Sequence, residues 1–243
     1  MRTIATIEAR MTSSRLPGKV LLKVLDKPLL SYLVERLKSV PSLDGIILAT
    51  TTNSQDDILE DFATSENIMC YRGSESDVMA RVIGAGQAAN ADTLVEITGD
   101  CPLIDPQIIQ QAIQIFYANN ADYVSNSHKR SYPDGMDVQV FSLDTLKYSA
   151  SLTSDNLDHE HVTLHIRNNP EIFSHLHLIA TPNMYWPELG LTLDEQADYE
   201  LIQKIIEHFG RGNLFGCVEI IEFLEENNHL LRLNENVTRK GDS

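Results

Sequence analysis

From residue 3 to residue 125, short apolar runs alternate with longer amphipathic ones, and this alternation narrows the fold more than any other feature of the chain. The runs at 3–8, 45–50, 68–71, 93–98 and 121–125 have the length and the apolar, β-branched content of strands. The stretches at 28–39, 55–65, 76–90 and 105–119 bring apolar residues to one helical face. Leu29, Leu30, Leu33, Val34 and Leu37 form such a face behind Pro28, and Asp105-Pro106 opens the last of these helices. Apolar strands joined by helices at this spacing call for a mostly parallel sheet, covered on both faces and wound by right-handed crossovers. Ligands of such a sheet sit beyond the carboxyl ends of its strands. The loops at 9–19, 51–54, 72–77 and 98–104 are therefore expected to converge on one crevice.

Beyond residue 127 the alternation breaks. Residues 128–134 are polar and turn-rich. Strand patterns at 136–141, 174–181 and 189–193 then mix with helical ones at 143–149, 158–168, 195–209 and 218–227. No Pro/Gly-rich linker precedes the change, so residues 1–243 are expected to form one α/β domain, with about 128–190 as a small β-rich lid or dimer-contact insertion. A 243-residue chain that is 42% hydrophobic can bury such a core. The polar end, 234–243, is expected to fray. No stretch has the length of a membrane span, and Met1-Arg2-Thr3-Ile4 starts a strand rather than a secretory leader. The expectation is a cytoplasmic protein without membrane contact. Cys70, Cys101 and Cys217 are too far apart for a zinc spacing and odd in number for a disulfide framework.

The net charge of −16 argues against nucleic acid as a partner. Its distribution says more: residues 1–38 hold eight Lys or Arg against three acids, +5, which leaves −21 on the remainder. A positive island on an acidic protein suits a small polyanion held locally. Within the island, Ala9-Arg10-Met11-Thr12-Ser13-Ser14-Arg15-Leu16-Pro17-Gly18-Lys19 joins the first strand to the first helix. A loop at that junction with three cations and two serines suits a phosphate cradle. Backbone N–H groups and hydroxyls would hold the oxygens, with Arg10 and Arg15 as forks and Lys19 as a point charge. Arg15 and Lys19 are both expected to face solvent. The loop lacks the G-x-x-x-x-G-K-[ST] of a P-loop. At the end of the fourth strand, Thr98-Gly99-Asp100 brings a carboxylate to the same crevice, where it can hold Mg²⁺ against a triphosphate. Asp105 reads as a helix cap, and Cys101, with no base beside it in sequence, reads as packing.

The loop string resembles the A-R-x-x-S-x-R-L-P-G-K motif of the sugar-acid cytidylyltransferases, of CMP-KDO and acylneuraminate type, and lies nearest their SpsF-like spore coat polysaccharide branch. Gly99-Asp100-Cys101-Pro102-Leu103-Ile104 resembles that family's G-D-x-P-L-I, and the stretch from Leu191 to Leu201 resembles L-T-V-D-x-x-x-D-L-E-L. Arg72-Gly73-Ser74-Glu75-Ser76-Asp77-Val78 is similar to R-G-S-E-x-D-V. Residues 132–138 and 160–163 are similar to Y-P-D-G-x-D-V and E-H-V-T. The likeness runs along the whole chain. It implies a GT-A-like (Rossmann-like) nucleotidyltransferase, dimeric and Mg²⁺-dependent, that joins CTP to an acidic sugar and releases pyrophosphate.

The resemblance assigns the metal to Asp100 and Asp194. It assigns the nucleotide to Ala9, Arg10, Ser13, Ser14, Arg15, Lys19, Arg72, Ser74, Asp77 and Gly99. The acceptor, or the dimer contact, falls to Tyr132, Asp134, Asp137, Gln139, Glu160 and His161. Arg10, Lys19, Asp100 and Asp194 would carry the catalysis. For Arg72 a structural ion pair is an equal reading. His159 and His161, two positions apart, do not share a helical face and lack a third ligand, so zinc is not expected. The chain departs from the family pattern at Thr12, where Gly is frequent, and at Glu8 and Gln139, where Gln and Glu are expected. The last two bear on which acceptor is taken. The alternative from another class is a GT-A-like glycosyltransferase using a nucleotide-sugar donor, which the triphosphate-type loop argues against.

Overall fold

The computed structural model describes residues 1–238. Its strands, in chain order, are β1 (Thr3–Glu8), a short hairpin of β2 (Lys23–Val24) and β3 (Lys27–Pro28), β4 (Gly45–Thr51), β5 (Met69–Gly73), β6 (Thr93–Thr98), β7 (Tyr123–Ser125), β8 (Gln139–Ser142) and β9 (His175–His177). Seven of them form one sheet in the order β5-β4-β1-β6-β8-β7-β9. Within it only β8 runs against its neighbours. The sheet is thus mostly parallel and flanked by helices, as the alternation implies.

Side-chain alternation along each strand divides the core in two. Ala5, Ile7, Leu48, Val95, Ile97 and Val140 face one layer, packed by α1 (Leu29–Lys38), α2 (Asp57–Ser65), α4 (Pro106–Ala118), α8 (Gln196–Phe209) and α9 (Cys217–Glu226). Ile4, Ile47, Ala49, Leu94, Tyr123 and Phe141 face the other, packed by α3 (Val78–Ala88), α5 (Leu143–Leu152) and α7 (Leu164–Asn168), with the short α6 (Asn156–Glu160) beside α3. Toward the carboxyl ends this second face turns polar. Thr6, Glu96, Gln139 and Ser125 lie in one register row across β1, β6, β8 and β7, and Glu8 pairs with Thr98 in the row above.

The second half differs from its sequence pattern in four places. The helix expected at 158–168 is two helices, broken where Val162 takes a left-handed backbone, φ 45°. That turn buries Val162 and aims the Thr163 hydroxyl at Gln139 Oε1, 2.6 Å away, so a tertiary contact overrides local propensity. The strand expected at 136–141 begins only at Gln139. Ahead of it the Asn126 side chain takes the Met136 carbonyl (2.7 Å) and the Val138 N–H (2.8 Å) in place of a strand partner. The run at 189–193 is buried but makes a single bridge, Asp134 to Gly190, because its neighbour is a loop. Gly135 in that loop, at φ 102°, sits so close that a Cβ would meet the Leu191 carbonyl carbon at 2.7 Å. The strand expected at 174–181 keeps only His175–His177 in the sheet. At the end expected to fray, Asn234 is buried and donates to Gly190 O (3.0 Å) and Asp198 Oδ1 (2.9 Å), while residues 239–243 lie outside those described.

Asp105 is the cap the sequence suggests, and more. Its Oδ1 accepts from Gln107 N (2.8 Å) at the start of α4, and its Oδ2 accepts from Cys217 N (2.8 Å) at the start of α9. Beside it the buried Arg36 donates to Phe215 O (2.7 Å) and lies over the Phe215 ring. Burial pulls the Arg36 guanidinium down to about 10, and Asp105 opposes that pull. Asp105→Ala uncaps two helices at once and leaves buried donors unpaired. We expect it to cost about 2–4 kcal/mol in urea denaturation, with Asp105→Asn costing less because one acceptor survives.

Candidate active site

A cleft of about 1460 Å³ opens at the carboxyl ends of β1 and β6 and the amino end of the antiparallel β8. One wall is the loop after β1. Gly18 N donates to Met11 O (2.9 Å) and closes the loop on itself, and Met11 N donates to Asp56 Oδ1 (2.7 Å). Glu75, in the loop after β5, then pins it: Oε1 accepts from Arg10 Nη1 (3.0 Å) and Thr12 Oγ1 (3.1 Å), while Oε2 accepts from Asn53 Nδ2 (2.7 Å). The hydrogen bonds from Asn53 and Thr12, with Arg10 nearby, hold the Glu75 carboxyl below its usual range.

The centre of the site is one ammonium between two carboxylates. Lys19 Nζ lies 3.2 Å from Asp100 Oδ2 and 2.9 Å from Asp194 Oδ1. Arg15 Nη2 reaches the same Asp194 oxygen at 2.9 Å, and its Nη1 lies 3.6 Å from Glu195 Oε1. Burial alone would lower the Lys19 ammonium, but the Asp100 and Asp194 carboxylates outweigh it and raise it. The expectation that Arg15 and Lys19 face solvent is corrected: their side chains are 26% and 12% exposed, because the acids enclose them.

Each aspartate is delivered by backbone. Asp100 follows β6 through Gly99, where a Cβ would meet Ala9 Cβ and Glu8 O at 2.9 Å. Only glycine lets the two loops pass at that distance. Asp194 is carried by Leu193, whose N–H donates to Asp100 O (2.8 Å). Asp198 Oδ2 then accepts from Asp194 N (3.1 Å) and Glu195 N (2.9 Å), which caps α8 and turns the Asp194 side chain to the cleft. Burial pushes the Cys101 thiol well up, which keeps it from acting as a thiolate.

Ala9, Arg10, Ser13, Ser14, Arg15 and Lys19 line the cleft, with Asp77, Asp100, Gln139, Glu160, His161 and Asp194. The remaining expected residues do not. Arg72 is spent on structure: Asp57 (2.6 Å), Glu60 (3.1 Å) and the carbonyls of Thr51 and Asn53 hold its guanidinium. The Ser74 hydroxyl accepts from Asp77 N (3.0 Å) in the turn before α3. Tyr132 is buried in the core behind the site. Asp134 bridges to Gly190 and accepts from Thr192 Oγ1 (3.2 Å), supporting the segment that carries Asp194. Asp137 is raised to about 7, by burial first and then by the Asp134 and Asp100 carboxylates. Gly99 acts through its backbone alone.

Glu8, which the sequence marks as a departure from the family pattern, lines the cleft, and with it stand Arg81, Glu96 and Arg167, which no motif points to. Their sequence signal is a charge inside an otherwise apolar element, and Glu96 in the middle of β6 is the clearest instance. At the cleft's other margin His159 Nδ1 donates to Asp77 Oδ1 (2.9 Å), and that hydrogen bond raises the imidazole above its ordinary value. Among the described residues no cluster of three or more His, Cys, Asp or Glu could hold a metal, and no helix is long and apolar enough to cross a membrane.

Comparison with known proteins gives a consistent result. Residues 4–236 match the family model described as cytidylyltransferase. The chain is 31% identical over 226 residues to the spore coat polysaccharide biosynthesis protein SpsF of Bacillus subtilis, spanning 91% of this chain and 93% of that one. It is 35% identical to an uncharacterized protein of Methanocaldococcus jannaschii, over 99% and 98% of the two chains. Among solved structures, a cytidylyltransferase from Leptospira borgpetersenii superposes with a TM-score of 0.91 at 30% identity, covering 98% of this chain and 99% of that one. A CMP:2-keto-3-deoxy-manno-octonic acid synthetase complexed with CTP shares the fold, with a TM-score of 0.63 at 18% identity over 86% and 99% of the chains. With an ammonium-bridged pair of aspartates at the mouth of a cation-lined cleft, and a family match over nearly its full length, the chain belongs to the cytidylyltransferase family and is a nucleotidyltransferase.

Proposed function

We propose that the chain activates an acidic sugar with CTP, forming a CMP-sugar and pyrophosphate, in the making of a surface polysaccharide or related glycan. The observation that carries this reading is the Lys19 ammonium within 3.2 Å of two aspartates that lie far apart in the sequence. Asp100 and Asp194 fit Mg²⁺: two carboxylates face one point on an open cleft, and Mg²⁺ favours one or two carboxylates completed by phosphate oxygens and water. When bound there, Mg²⁺ would neutralise charge at the α-phosphate and on the departing pyrophosphate.

The chain's own groups do the rest by position and charge. Arg10 and Arg15 present forked donors to the phosphate tail, with Ser13 and Ser14 in the same loop. Lys19, released from its two acids, follows the β- and γ-phosphates. Gln139, Glu160 and His161 face the acceptor, whose hydroxyl attacks the α-phosphorus. Residues of about 128–190 act as cover and dimer contact within one nucleotidyltransferase domain. Tyr148, Leu152 and Leu157 support that role, standing 54%, 43% and 57% exposed on α5 and α6 beside the cleft. The working form on this reading is a cytoplasmic homodimer. The direct test is pyrophosphate release with each NTP across a panel of acidic sugars. CTP should be strongly preferred, and equal turnover of ATP or GTP would refute the reading.

Two variants probe the metal pair. Asp100→Asn and Asp194→Asn should each lower kcat about 100-fold or more. Chelation should abolish activity, and Mg²⁺ or Mn²⁺ should restore it, while CTP affinity in metal-free buffer holds or improves. Full activity in the presence of EDTA would remove the metal from the scheme. Lys19→Ala leaves Asp100 without its cation, while Asp194 keeps Arg15. It should lose on the order of 1–2 kcal/mol of stability in EDTA, the pair being partly solvated, and regain much of it when Mg²⁺ is added. Thermal melts with and without metal check this, and an equal deficit in both buffers would count against a shared cation site.

A further inference from the structure

The cleft has a second polar centre, separate from the phosphate-type loop. Strand alternation puts Glu8 and Glu96 on the same face of the sheet, above the apolar layer of Ile4, Leu94 and Phe141. Glu96 is 5% exposed, yet it lines the cleft. Both carboxylate oxygens of Glu8 are shut off from solvent, and neither has a hydrogen bond of good geometry among the described residues; the Thr6 hydroxyl on the same face offsets only part of the effect of burial. Gln139 cannot serve Glu8. Its amide nitrogen donates to Glu96 Oε2 (2.8 Å), and its carbonyl is taken by the Thr163 hydroxyl (2.6 Å) and the Tyr123 hydroxyl.

Two arginines stand near without closing the account. Arg81 acts on Glu8 by charge, but it is hydrogen-bonded to the Ser74 carbonyl, and its Nε is buried without a partner. Arg167 acts on Glu96 by charge, and its Nε is also unpartnered. Burial first, and then the Glu96 carboxylate, push the Glu8 carboxyl well above its usual range; burial lifts Glu96 to about 7. A buried carboxylate without donors weakens a fold, so nothing in packing accounts for this arrangement.

The chemistry that would complete it is a group with several N–H donors and a positive charge. A primary ammonium brings three donors and no acceptor; a hydroxyl brings one donor and turns its lone pairs on two carboxylates. We propose that Glu8 and Glu96 recognise a primary amino group on the acceptor, so that the substrate is an acidic sugar that also carries a free amine. The inference rests on reading the cleft as a CTP:sugar-acid site, and it assigns Glu8 as a specificity-determining residue.

The test uses two ulosonic acids that differ by one exchange of hydroxyl for amine, 3-deoxy-manno-octulosonate and 8-amino-3,8-dideoxy-manno-octulosonate, with the full chain, CTP and Mg²⁺. The wild type should favour the amino sugar by about tenfold or more in kcat/KM, and Glu8→Gln should bring the ratio close to one. Glu96→Gln should narrow it as well. Since Glu8→Gln removes a buried, donorless carboxylate, it should melt about 2–4 °C higher than the wild type, which separates the effect from misfolding. Equal turnover of both sugars, or a variant that slows both alike, overturns the inference and leaves cytidylyl transfer standing. A loss of CTP affinity with an unmoved ratio assigns Glu8 to the nucleotide and overturns it too. Calorimetry of each sugar in the presence of CMP supplies the other arm. If the amino sugar binds through Glu8 but neither sugar drives pyrophosphate release, the recognition site stands and the proposed reaction fails. If neither sugar binds, the recognition site falls.

Discussion

Two ionised carboxylates repel one another unless a cation stands between them, and for Asp100 and Asp194 that cation is Lys19. Its partners are 81 and 175 positions away in sequence. The contact therefore holds together the loop after the first strand, the end of the fourth long strand and the segment entering α8. An exposed ion pair would contribute little to that closure. Here the ammonium is enclosed and answers two acids, so removing it leaves Asp100 without a cation, while Asp194 keeps Arg15. The same geometry suits the exchange of ligands that the proposed function requires. On the proposed reading, a site already arranged around positive charge would not need to reorganise its acids for a divalent ion, provided the lysine can move to the incoming phosphates.

The sheet supplies the second constraint. Strand alternation sends apolar residues to both faces along most of each strand, so the core has two helix-covered layers. Near the carboxyl ends the α3/α7 face changes to Thr6, Glu96, Gln139 and Ser125 in one row. The rows below remain aromatic and aliphatic. The floor of the cleft is thus a continuation of the core face in which polar side chains replace apolar ones, held as rigidly as the core itself. Positioning of this kind suits a reaction that depends on holding groups in place.

Much of this was legible in the chain. The strands at 3–8 and 93–98 and the helices behind Pro28 and Asp105 fall within a residue or two of their patterns, because an apolar period repeated over several turns leaves few alternatives. Lys19, Asp100 and Asp194 were legible from motif strings, and the structure brings them to one point. Arg72, Tyr132, Asp134 and Asp137 belong to equally distinctive strings, but these residues build the frame of the site rather than its surface. A motif records that a residue type suits a place without recording which way the side chain faces. The break at Val162 had no local signal, since a β-branched residue seldom takes a left-handed backbone and does so here to satisfy a contact with a distant strand. The strand expected from residue 136 failed for a similar reason: the Asn126 amide, which no periodicity reveals, takes the backbone groups a neighbouring strand would have used.

Asn234 is buried near the end of the described chain, and its amide holds Asp198, which in turn holds the backbone of Asp194. The order of synthesis runs the other way. The loop of Arg10, Arg15 and Lys19 leaves the ribosome before the aspartates that answer it, which follow much later. A growing chain can thus present its anion-seeking loop long before the opposing acid is locked in place. Full assembly of the centre therefore waits on the segment around Asn234, whose amide is the far end of the hydrogen bonds that hold Asp194.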